Sequence, residues 1–144
     1  EWRGFDGTWK DGDTLPFTVP ARSAAVAGNV GGRREVLVAE SGDVRLVHVF
    51  GEDVEHPYEP AALTARAEPV PGGYRVAVTA SALAVDVALM ADRVAPDAVV
   101  DDMLVTLLPG ETRTFEVRTG ATVDPPAFAD PLVLRSAGSV ARRP

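Results

Sequence analysis

Short apolar runs alternate with turn residues along the whole chain. In the run from residue 44 to 50, Leu46, His48 and Phe50 share one face by the two-residue period of a β-strand. Turns that contain Gly or Pro, such as the one at 41–43, separate this run from others of similar length. The pattern predicts antiparallel β structure, arranged as a sandwich or a barrel.

The runs define a set of predicted strands and hairpins. Asp6-Gly7 predicts a two-residue type I′ hairpin turn, which puts Gly4 opposite Trp9. Residues 108–111, with Pro second and Gly third, predict a type II turn that joins the strands on either side of it into a hairpin. The predicted strands are the two arms of the hairpin 2–10, Thr14–Val19, Glu35–Ala39, Val44–Phe50, Leu63–Glu68, Tyr74–Ala80, Met103–Leu108 and Thr112–Arg118.

The segment from residue 82 to 92 is compatible with a strand or with a helix. Leu83, Val85 and Val87 alternate as in a strand, whereas Leu83, Val87 and Met90 also share one face of a helix. The β-rich surroundings favour the strand. The predicted core residues are Val76, Val78, Val85, Val87, Leu104, Leu108 and Phe115.

Length and cysteine content narrow the class of protein. The chain has 144 residues, which fits one domain or two small ones. It contains no cysteine, which excludes a disulfide scaffold, a thiolate zinc site and a thiol nucleophile but does not fix the compartment. No apolar run approaches the ~20 residues that a membrane helix needs. We expect no membrane association, and a cytoplasmic location rather than secretion.

The charge of the chain argues against nucleic acid as a partner. Its formal net charge is −7, whereas a nucleic-acid binder usually presents a basic face. The clustered basic residues are Arg33, Arg34, Arg142 and Arg143, which are interpreted as solvated ends. A single lysine and abundant Ala and Val suggest a bacterial genome of high GC content. Because the chain starts at Glu1 rather than Met, we expect it to be an excised or processed piece.

Residue types that carry catalysis or bind metals do not stand in a suitable pattern. Asp101 and Asp102 are adjacent, so they point to opposite faces of a strand or lie in a solvated turn. Asp11-Gly12-Asp13 lacks the downstream Gly and bidentate Glu of an EF-hand calcium loop. His48 is interpreted as a core or domain-interface residue and His56 as a linker residue. No catalytic, cofactor-binding or metal-binding residue is therefore predicted.

Three aromatic residues are the candidates for ligand contact. Trp2 and Trp9 lie on one face of the predicted first hairpin, and Tyr58 stands between two prolines in a stiff, extended segment. Exposed aromatic rings serve carbohydrate-binding modules as stacking platforms, but Trp9 opposite Gly4 also suits packing over a glycine. Trp2, Trp9 and Tyr58 are candidates for contact with a sugar or a neighbouring domain, and packing is the favoured interpretation.

Three motifs follow one another between residues 81 and 118. They are the strand Leu83-Ala84-Val85-Asp86-Val87-Ala88-Leu89, the acidic pair Asp101-Asp102 and the apolar segment Leu107–Glu111. In this order they resemble the C-terminal Ig-fold domain of β-mannosidases of glycoside hydrolase family 2, although that family commonly has Asp-Asn-aromatic where this chain has Asp101-Asp102-Met103. Residues 4–24 and 35–50 resemble the preceding Ig-like domain, without its first strands.

The resemblance implies an all-β protein, in which an Ig-like antiparallel β-sandwich is preceded by a partial second Ig-like sandwich. Residues 1–54 would be the C-terminal part of a β-mannosidase Ig-like domain, and residues 55–120 the C-terminal Ig-fold domain. Residues 121–144 would form a C-terminal arm or an edge strand.

The resemblance also implies a non-catalytic accessory role. The parent enzyme would hydrolyse terminal β-D-mannose residues in oligosaccharides, using two glutamates on a (β/α)₈ barrel of ~250 residues that does not fit within this chain. No catalytic residue is carried over, and no cofactor is expected. The expected partners are the catalytic barrel and other domains of the parent enzyme, with other copies of the chain as a further alternative. An independent carbohydrate-binding module is the alternative function.

Overall fold

A computed structural model describes residues 1–26 and 36–141, which belong to two compact units. The first unit comprises Glu1–Gly4 and Thr8–Gly51, and the second comprises Phe5–Gly7 and Glu52–Pro144. The described residues do not include Glu35, where one predicted strand begins, or the arginine pairs Arg33-Arg34 and Arg142-Arg143. The strands are β1 Trp2–Arg3, β2 Trp9–Asp11, β3 Val36–Ser41, β4 Val44–Val49, β5 Leu63–Val70, β6 Gly73–Ala80, β7 Ala84–Leu89, β8 Val99–Val100, β9 Val105–Leu107, β10 Thr112–Arg118 and β11 Leu134–Arg135, and the helix is α1 Ala137–Ala141.

The first unit contains one antiparallel sheet with the strand order β2-β1-β3-β4. The hairpin β3–β4 is the predicted one, with Val36 opposite Val49 and Ser41 opposite Val44. Its two-residue loop has a positive φ at Gly42 and not at the next residue, as in a type II′ turn. The assignment of residues 1–54 to a partial Ig-like sandwich stays a prediction.

The first hairpin forms, but with a different loop from the predicted one. The Gly4 N–H donates to the Thr8 carbonyl at 2.9 Å and Arg3 lies opposite Trp9, so the loop has three residues rather than two. A type I′ turn would need a positive φ at Asp6, which costs about 1–2 kcal/mol for a residue with a Cβ. The three-residue loop needs it only at Gly7, where φ is +80°.

The predicted strand Thr14–Val19 is absent. The segment has no strand hydrogen-bonding pattern, and its apolar side chains Leu15, Phe17 and Val19 are exposed. Pro16 and Pro20 have no N–H to donate to a neighbouring strand, which weakens any ladder that the segment could join.

The second unit is a sandwich of two antiparallel sheets, as predicted. One sheet has the order β5-β6-β10-β8 and the other the order β11-β7-β9. Both sheets contribute to a single core, in which Val76 and Phe115 of the first sheet lie with Val87 and Leu89 of the second. All four of these side chains are fully buried. Because the inward positions alternate along each strand, every second residue supplies the core.

The segment that was compatible with a strand or a helix is strand β7. It pairs with β9 through Ala84 opposite Leu107 and Val87 opposite Val105, with an irregularity between these pairs. Asp86 lies at this irregularity with a φ of +53°. The irregularity lets Ala84, three residues before Val87, join Val87 and Leu89 in the core. Val85 is half-buried and lies outside this core, contrary to the prediction.

The type II turn at 108–111 is present, but it does not close a hairpin. The Glu111 N–H donates to the Leu108 carbonyl at 3.0 Å, and Gly110 has a φ of +84°. The strands that it connects lie in opposite sheets, because β9 pairs with β7 whereas β10 pairs with β6 and β8. A type II turn does not match the twist of a two-stranded ribbon, and here it carries the chain across the core.

The C-terminal residues complete the sandwich of the second unit. Phe128, in the short 3₁₀ segment Pro125–Ala129, is fully buried and packs against Tyr74 with ring centroids 5.1 Å apart. Strand β11 forms the edge of its sheet by pairing with β7. The boundaries predicted at 54/55 and 120/121 stay predictions, and the two described units divide between Gly51 and Glu52.

Candidate functional site

Three aromatic rings cluster at one end of the second unit. His56 stacks obliquely on Phe5 with centroids 5.0 Å apart, and it meets Tyr58 edge-on at 5.3 Å. Phe5 also meets Tyr58 edge-on at 6.1 Å. Phe5 is brought there by the three-residue loop of the first hairpin, and His56 follows the short 3₁₀ segment Asp53–Glu55. Such tilted and edge-on contacts are the stabilising arrangements of aromatic pairs.

Tyr58 is the most constrained member of this cluster. Its side chain is 4% exposed, and its hydroxyl donates a hydrogen bond of 3.0 Å to Oδ1 of Asp53. Burial raises the pKa of Tyr58 above its usual value, and the hydrogen bond and the negative charges of Asp53 and Asp86 raise this pKa further. The hydroxyl therefore stays protonated at neutral pH and acts as a fixed hydrogen-bond donor.

A shallow cleft of about 310 Å³ opens beside Tyr58, within the second unit. Phe5, Pro57 and Leu83 supply apolar walls, and Asp6 and Glu59 supply carboxylates. The Tyr58 hydroxyl is already engaged by Asp53, so the cleft offers apolar surface and acidic groups but no activated nucleophile.

The three predicted contact residues belong to two different units. Trp2 and Trp9 belong to the first unit and Tyr58 to the second. Within the first hairpin, Trp9 lies opposite Arg3 and Trp2 opposite Asp11. Since neighbouring residues of a strand point to opposite faces, Trp2 and Trp9 lie on opposite faces, contrary to the predicted shared face.

The two tryptophans also differ in exposure. Trp2 is half-buried and packs against Phe50, with ring centroids 5.4 Å apart. Trp9 is 59% exposed. A role for Trp2, Trp9 or Tyr58 in contacting a sugar or a domain stays a prediction.

His48 is not a core residue, so the first of its two predicted places is wrong, and its predicted alternative place at a domain interface stays a prediction. It is exposed on β4 and meets Phe50 edge-on with centroids 4.4 Å apart. The sequence signal was misleading because the apolar side chains that share its face, such as Leu46, are themselves exposed.

The acidic residues singled out in the sequence make local contacts. Asp101 Oδ1 accepts the Glu116 N–H at 2.9 Å, and Asp102 Oδ2 pairs with Arg113 at 3.1 Å. Asp11 and Asp13 each accept the N–H of the following residue. In the part of the chain that the structure describes, no group of three or more His, Asp or Glu side chains could hold a metal ion. Within residues 1–26 and 36–141, no helix is long and apolar enough to cross a membrane.

The comparison with protein families decides where the second unit belongs. Residues 58–140 match the family model of the mannosidase Ig-fold domain. The chain belongs to the mannosidase Ig-fold family. The match begins at Tyr58 and covers both sheets of the sandwich, from β5 to β11. The mannosidase Ig-fold domain thus includes the C-terminal residues that bury Phe128. Searches of curated proteins and of solved structures gave no match.

The sequence predicted Tyr58 as a residue of interest but not its neighbours in this mannosidase Ig-fold domain. Phe5 is more than 50 positions away in the sequence, and Asp86, whose charge raises the pKa of Tyr58, lies at the irregularity in β7. In the sequence, Asp53 stands in a short acidic stretch with Glu52 and Glu55. A carboxylate five residues before a buried tyrosine is too common a pattern to predict a hydrogen bond.

Proposed function

We propose that this chain supplies non-catalytic accessory β-sandwich domains to a β-mannosidase-like glycoside hydrolase. The observation that supports the proposal is the family match over residues 58–140, which coincides with a two-sheet sandwich built on one core. The parent enzyme would remove terminal β-D-mannose residues from oligosaccharides. The role of this chain would then be structural. A retaining glycosidase needs two carboxyl groups about 5–5.5 Å apart across the sugar, and the resemblance implies that both lie on a barrel that does not fit within this chain.

The accessory domains would brace the catalytic barrel. A bracing surface needs apolar side chains that remain exposed when the domain is considered by itself, since buried apolar area drives association. Among the described residues of the second unit, five large apolar side chains are exposed, which are Val99, Met103, Leu104, Leu132 and Val140. These are the positions at which we expect contact with the rest of the enzyme.

The mass of the native protein tests this proposal. An antibody raised against the 15.1 kDa chain should detect a band several times larger in the source cell. The pure chain should not turn over an aryl β-mannoside, whereas the full-length protein should. A native band at 15.1 kDa, or turnover by the pure chain, would overturn the proposal.

Glycan binding is a second candidate function, and the exposed indole of Trp9 favours it. A stacked sugar ring would shift the fluorescence of this indole. Titration with manno-oligosaccharides should therefore change the emission of the chain and leave that of the Trp9→Phe variant unchanged. Trp2 is the internal control because it packs against Phe50 in both proteins. An unchanged emission of the unaltered chain would rule this candidate out.

A further inference from the structure

Strand β5 forms one edge of its sheet in the second unit. It pairs with β6 from Leu63 to Val70, over its full length of eight residues. In the strand order β5-β6-β10-β8, no strand of residues 1–26 and 36–141 lies on the other side of β5. A long edge strand is a template for pairing with a further strand, so this side of β5 is a candidate interaction surface.

The backbone groups of every second residue of β5 point toward this edge. The Ala80 N–H donates to the Glu111 carbonyl at 2.9 Å, so the backbone of Ala80 faces the side of β10 and not β5. Leu63 lies opposite Ala80, and the two therefore form a non-hydrogen-bonded pair of the β5–β6 ladder. Because backbone groups two residues apart point to the same side of a strand, the N–H and carbonyl groups of Ala65 and Ala67 also face the edge.

These outward backbone groups are open to an added strand. Within the described parts of the chain, no backbone hydrogen bond reaches the outward groups of Ala65 or Ala67. The 3₁₀ segment Pro125–Ala129 lies near β5 but forms no hydrogen bond with them. Pro69 faces the edge by the same two-residue period, and it has a carbonyl but no N–H. The edge thus offers donors and acceptors at Ala65 and Ala67, and an acceptor at Pro69.

Charges alternate in sign across the exposed face of this sheet. Glu116 on β10 pairs with Arg75 on β6 at 2.9 Å, and Arg75 lies opposite Glu68 on β5. The row is therefore negative, positive and negative from β10 to the edge. A strand added beside β5 continues this alternation if it places a cation opposite Glu68. Arg66 is exposed on the same face of β5, and it needs an anion opposite it for the same reason.

A second copy of β5 meets both requirements. In an antiparallel pair with its two-fold axis at Ala67, Arg66 of each copy would lie opposite Glu68 of the other. The two Ala67 residues would then exchange both of their backbone hydrogen bonds. The Ala65 N–H of each copy would donate to the Pro69 carbonyl of the other, a bond for which Pro69 needs no N–H. The register that pairs the charges therefore also uses the backbone groups that the edge offers.

We propose that β5 pairs with β5 of a second copy of this chain, and that this contact joins the two sheets into one continuous sheet. The contact is isologous, because both copies use the same residues, and it is closed, because each copy covers the edge of the other. The two neighbouring registers place Arg66 opposite Arg66, or Glu68 opposite Glu68. Like charges directly opposite each other are destabilising, so the charges select the register with Ala67 on the axis.

Sedimentation equilibrium of the full chain and two charge-reversal variants tests the proposal. The unaltered chain should form dimers. Arg66→Glu and Glu68→Arg each put like charges opposite each other at both pairs, and each should weaken dimerisation about tenfold or more. The matched control is Arg118→Glu, which makes the same change of charge at an exposed position of β10, away from the edge. This control should dimerise as the unaltered chain does.

A mixture of the two charge-reversal variants tests the register. In a pair of one Arg66→Glu chain and one Glu68→Arg chain, both cross-strand pairs again have opposite charges. The mixture should therefore form dimers at a concentration at which each variant alone is monomeric. A mixture that dimerises no better than its components would overturn the proposal, as would single variants that dimerise as well as the unaltered chain. A monomeric unaltered chain would also overturn it, and would leave the edge to a strand of a different protein.

A proline at the axis tests the backbone hydrogen bonds separately from the charges. Ala67→Pro removes the N–H that faces the edge and keeps the bonds to β6, because Ala67 and Val76 are a non-hydrogen-bonded pair. Its matched control, Ala67→Ser, keeps the N–H. The proline variant should be monomeric and the serine variant dimeric, and a proline variant that dimerises with unchanged affinity would refute strand pairing. Circular dichroism checks that the proline variant folds. Where it does not, the mixture of charge-reversal variants decides the outcome.

Discussion

At the scale of the residue, Leu104 combines an unfavourable backbone conformation with an exposed apolar side chain. Its φ is +58°, in the left-handed region, and its side chain is 63% exposed, contrary to its predicted place in the core. A residue with a Cβ loses about 1–2 kcal/mol in this region. Nothing in the periodicity of the segment signals a left-handed residue, so the prediction followed the apolar pattern and was wrong.

Replacing Leu104 tests this strain. Leu104→Gly relieves the strain and Leu104→Ala keeps it, while both remove the exposed side chain. We expect the glycine variant to be about 1 kcal/mol more stable than the alanine variant, which reverses the usual order of these residues. Urea denaturation of both variants measures the difference. A more stable alanine variant would show that the backbone at this position is not strained.

Val87 lies at the centre of the core and is 0% exposed. Val87→Asp would bury an unpaired carboxylate, and we expect it to lower the free energy of unfolding by about 3 kcal/mol or more. The matched control is Val99→Asp, because Val99 is 54% exposed and a charge there stays hydrated. Thermal denaturation compares the two. An unchanged melting temperature for Val87→Asp would contradict the facing of β7.

The raised pKa of Tyr58 predicts that the stability of the protein falls at alkaline pH. Because its pKa is raised in the folded state, the folded protein keeps a proton that the unfolded chain loses near pH 10. The contribution of Tyr58 to the free energy of unfolding is therefore complete below about pH 10, and it is lost as the pH rises above this value. Tyr58→Phe should cost about 1 kcal/mol at neutral pH, where it removes the bond to Asp53. The stability of the variant should decline less steeply above pH 10, and parallel declines would refute this assignment.

At the scale of the element, the pairing of β6 with β10 depends on a glycine. Gly73 begins β6 and lies so close to the Val117 carbonyl oxygen on β10 that a Cβ would overlap with it. Gly73→Ala must push apart two strands that are paired from Gly73 to Thr79. We expect a loss of more than about 2 kcal/mol in the free energy of unfolding.

The control for Gly73 is Gly120→Ala. An added Cβ at Gly120 meets only Oδ2 of Asp97, at an ordinary contact distance of 3.6 Å. This variant should differ from the parent by less than about 0.5 kcal/mol. Guanidinium denaturation of the two alanine variants gives the comparison, and equal losses would mean that the strands separate more easily than the contact at Gly73 implies.

Elements were predictable from the sequence where the signal is local. The hairpins β3–β4 and β5–β6 follow from alternating side chains and glycine turns, and both form with the expected strands. The pairing of β9 with β7 was not predictable, because a type II turn is compatible with a hairpin and with a crossing between sheets. The predicted strand Thr14–Val19 does not form for a related reason. Alternating apolar and polar side chains indicate a strand only where a neighbouring strand is present to pair with it.

The candidate site was predictable only in part. Tyr58 stood out through its prolines, whereas its contacts with Phe5 and Asp53 depend on how distant segments meet. Trp2 and Trp9 were assigned to one face from an assumed two-residue loop, and a single additional loop residue reversed that relation. An error of one residue in register has this effect because side chains alternate between the faces of a strand.

At the scale of the whole molecule, the second unit has a core that is complete in itself. Every member of the buried cluster lies between Tyr74 and Leu134. We expect residues 52–144, produced alone, to unfold in one cooperative transition. The fragment lacks Phe5, so the surroundings of Tyr58 should be looser than in the full chain. Calorimetry checks the transition, and a fragment without a cooperative transition would show that the first 51 residues are needed for folding.

The distribution of aromatic residues between the units has an optical consequence. Both tryptophans of the chain lie in the first unit, and both tyrosines, Tyr58 and Tyr74, lie in the second. Light at wavelengths that excite only indole therefore reports on the first unit, and the near-ultraviolet tyrosine bands report on the second. An unlabelled sample thus carries two separate spectroscopic probes, one for each unit.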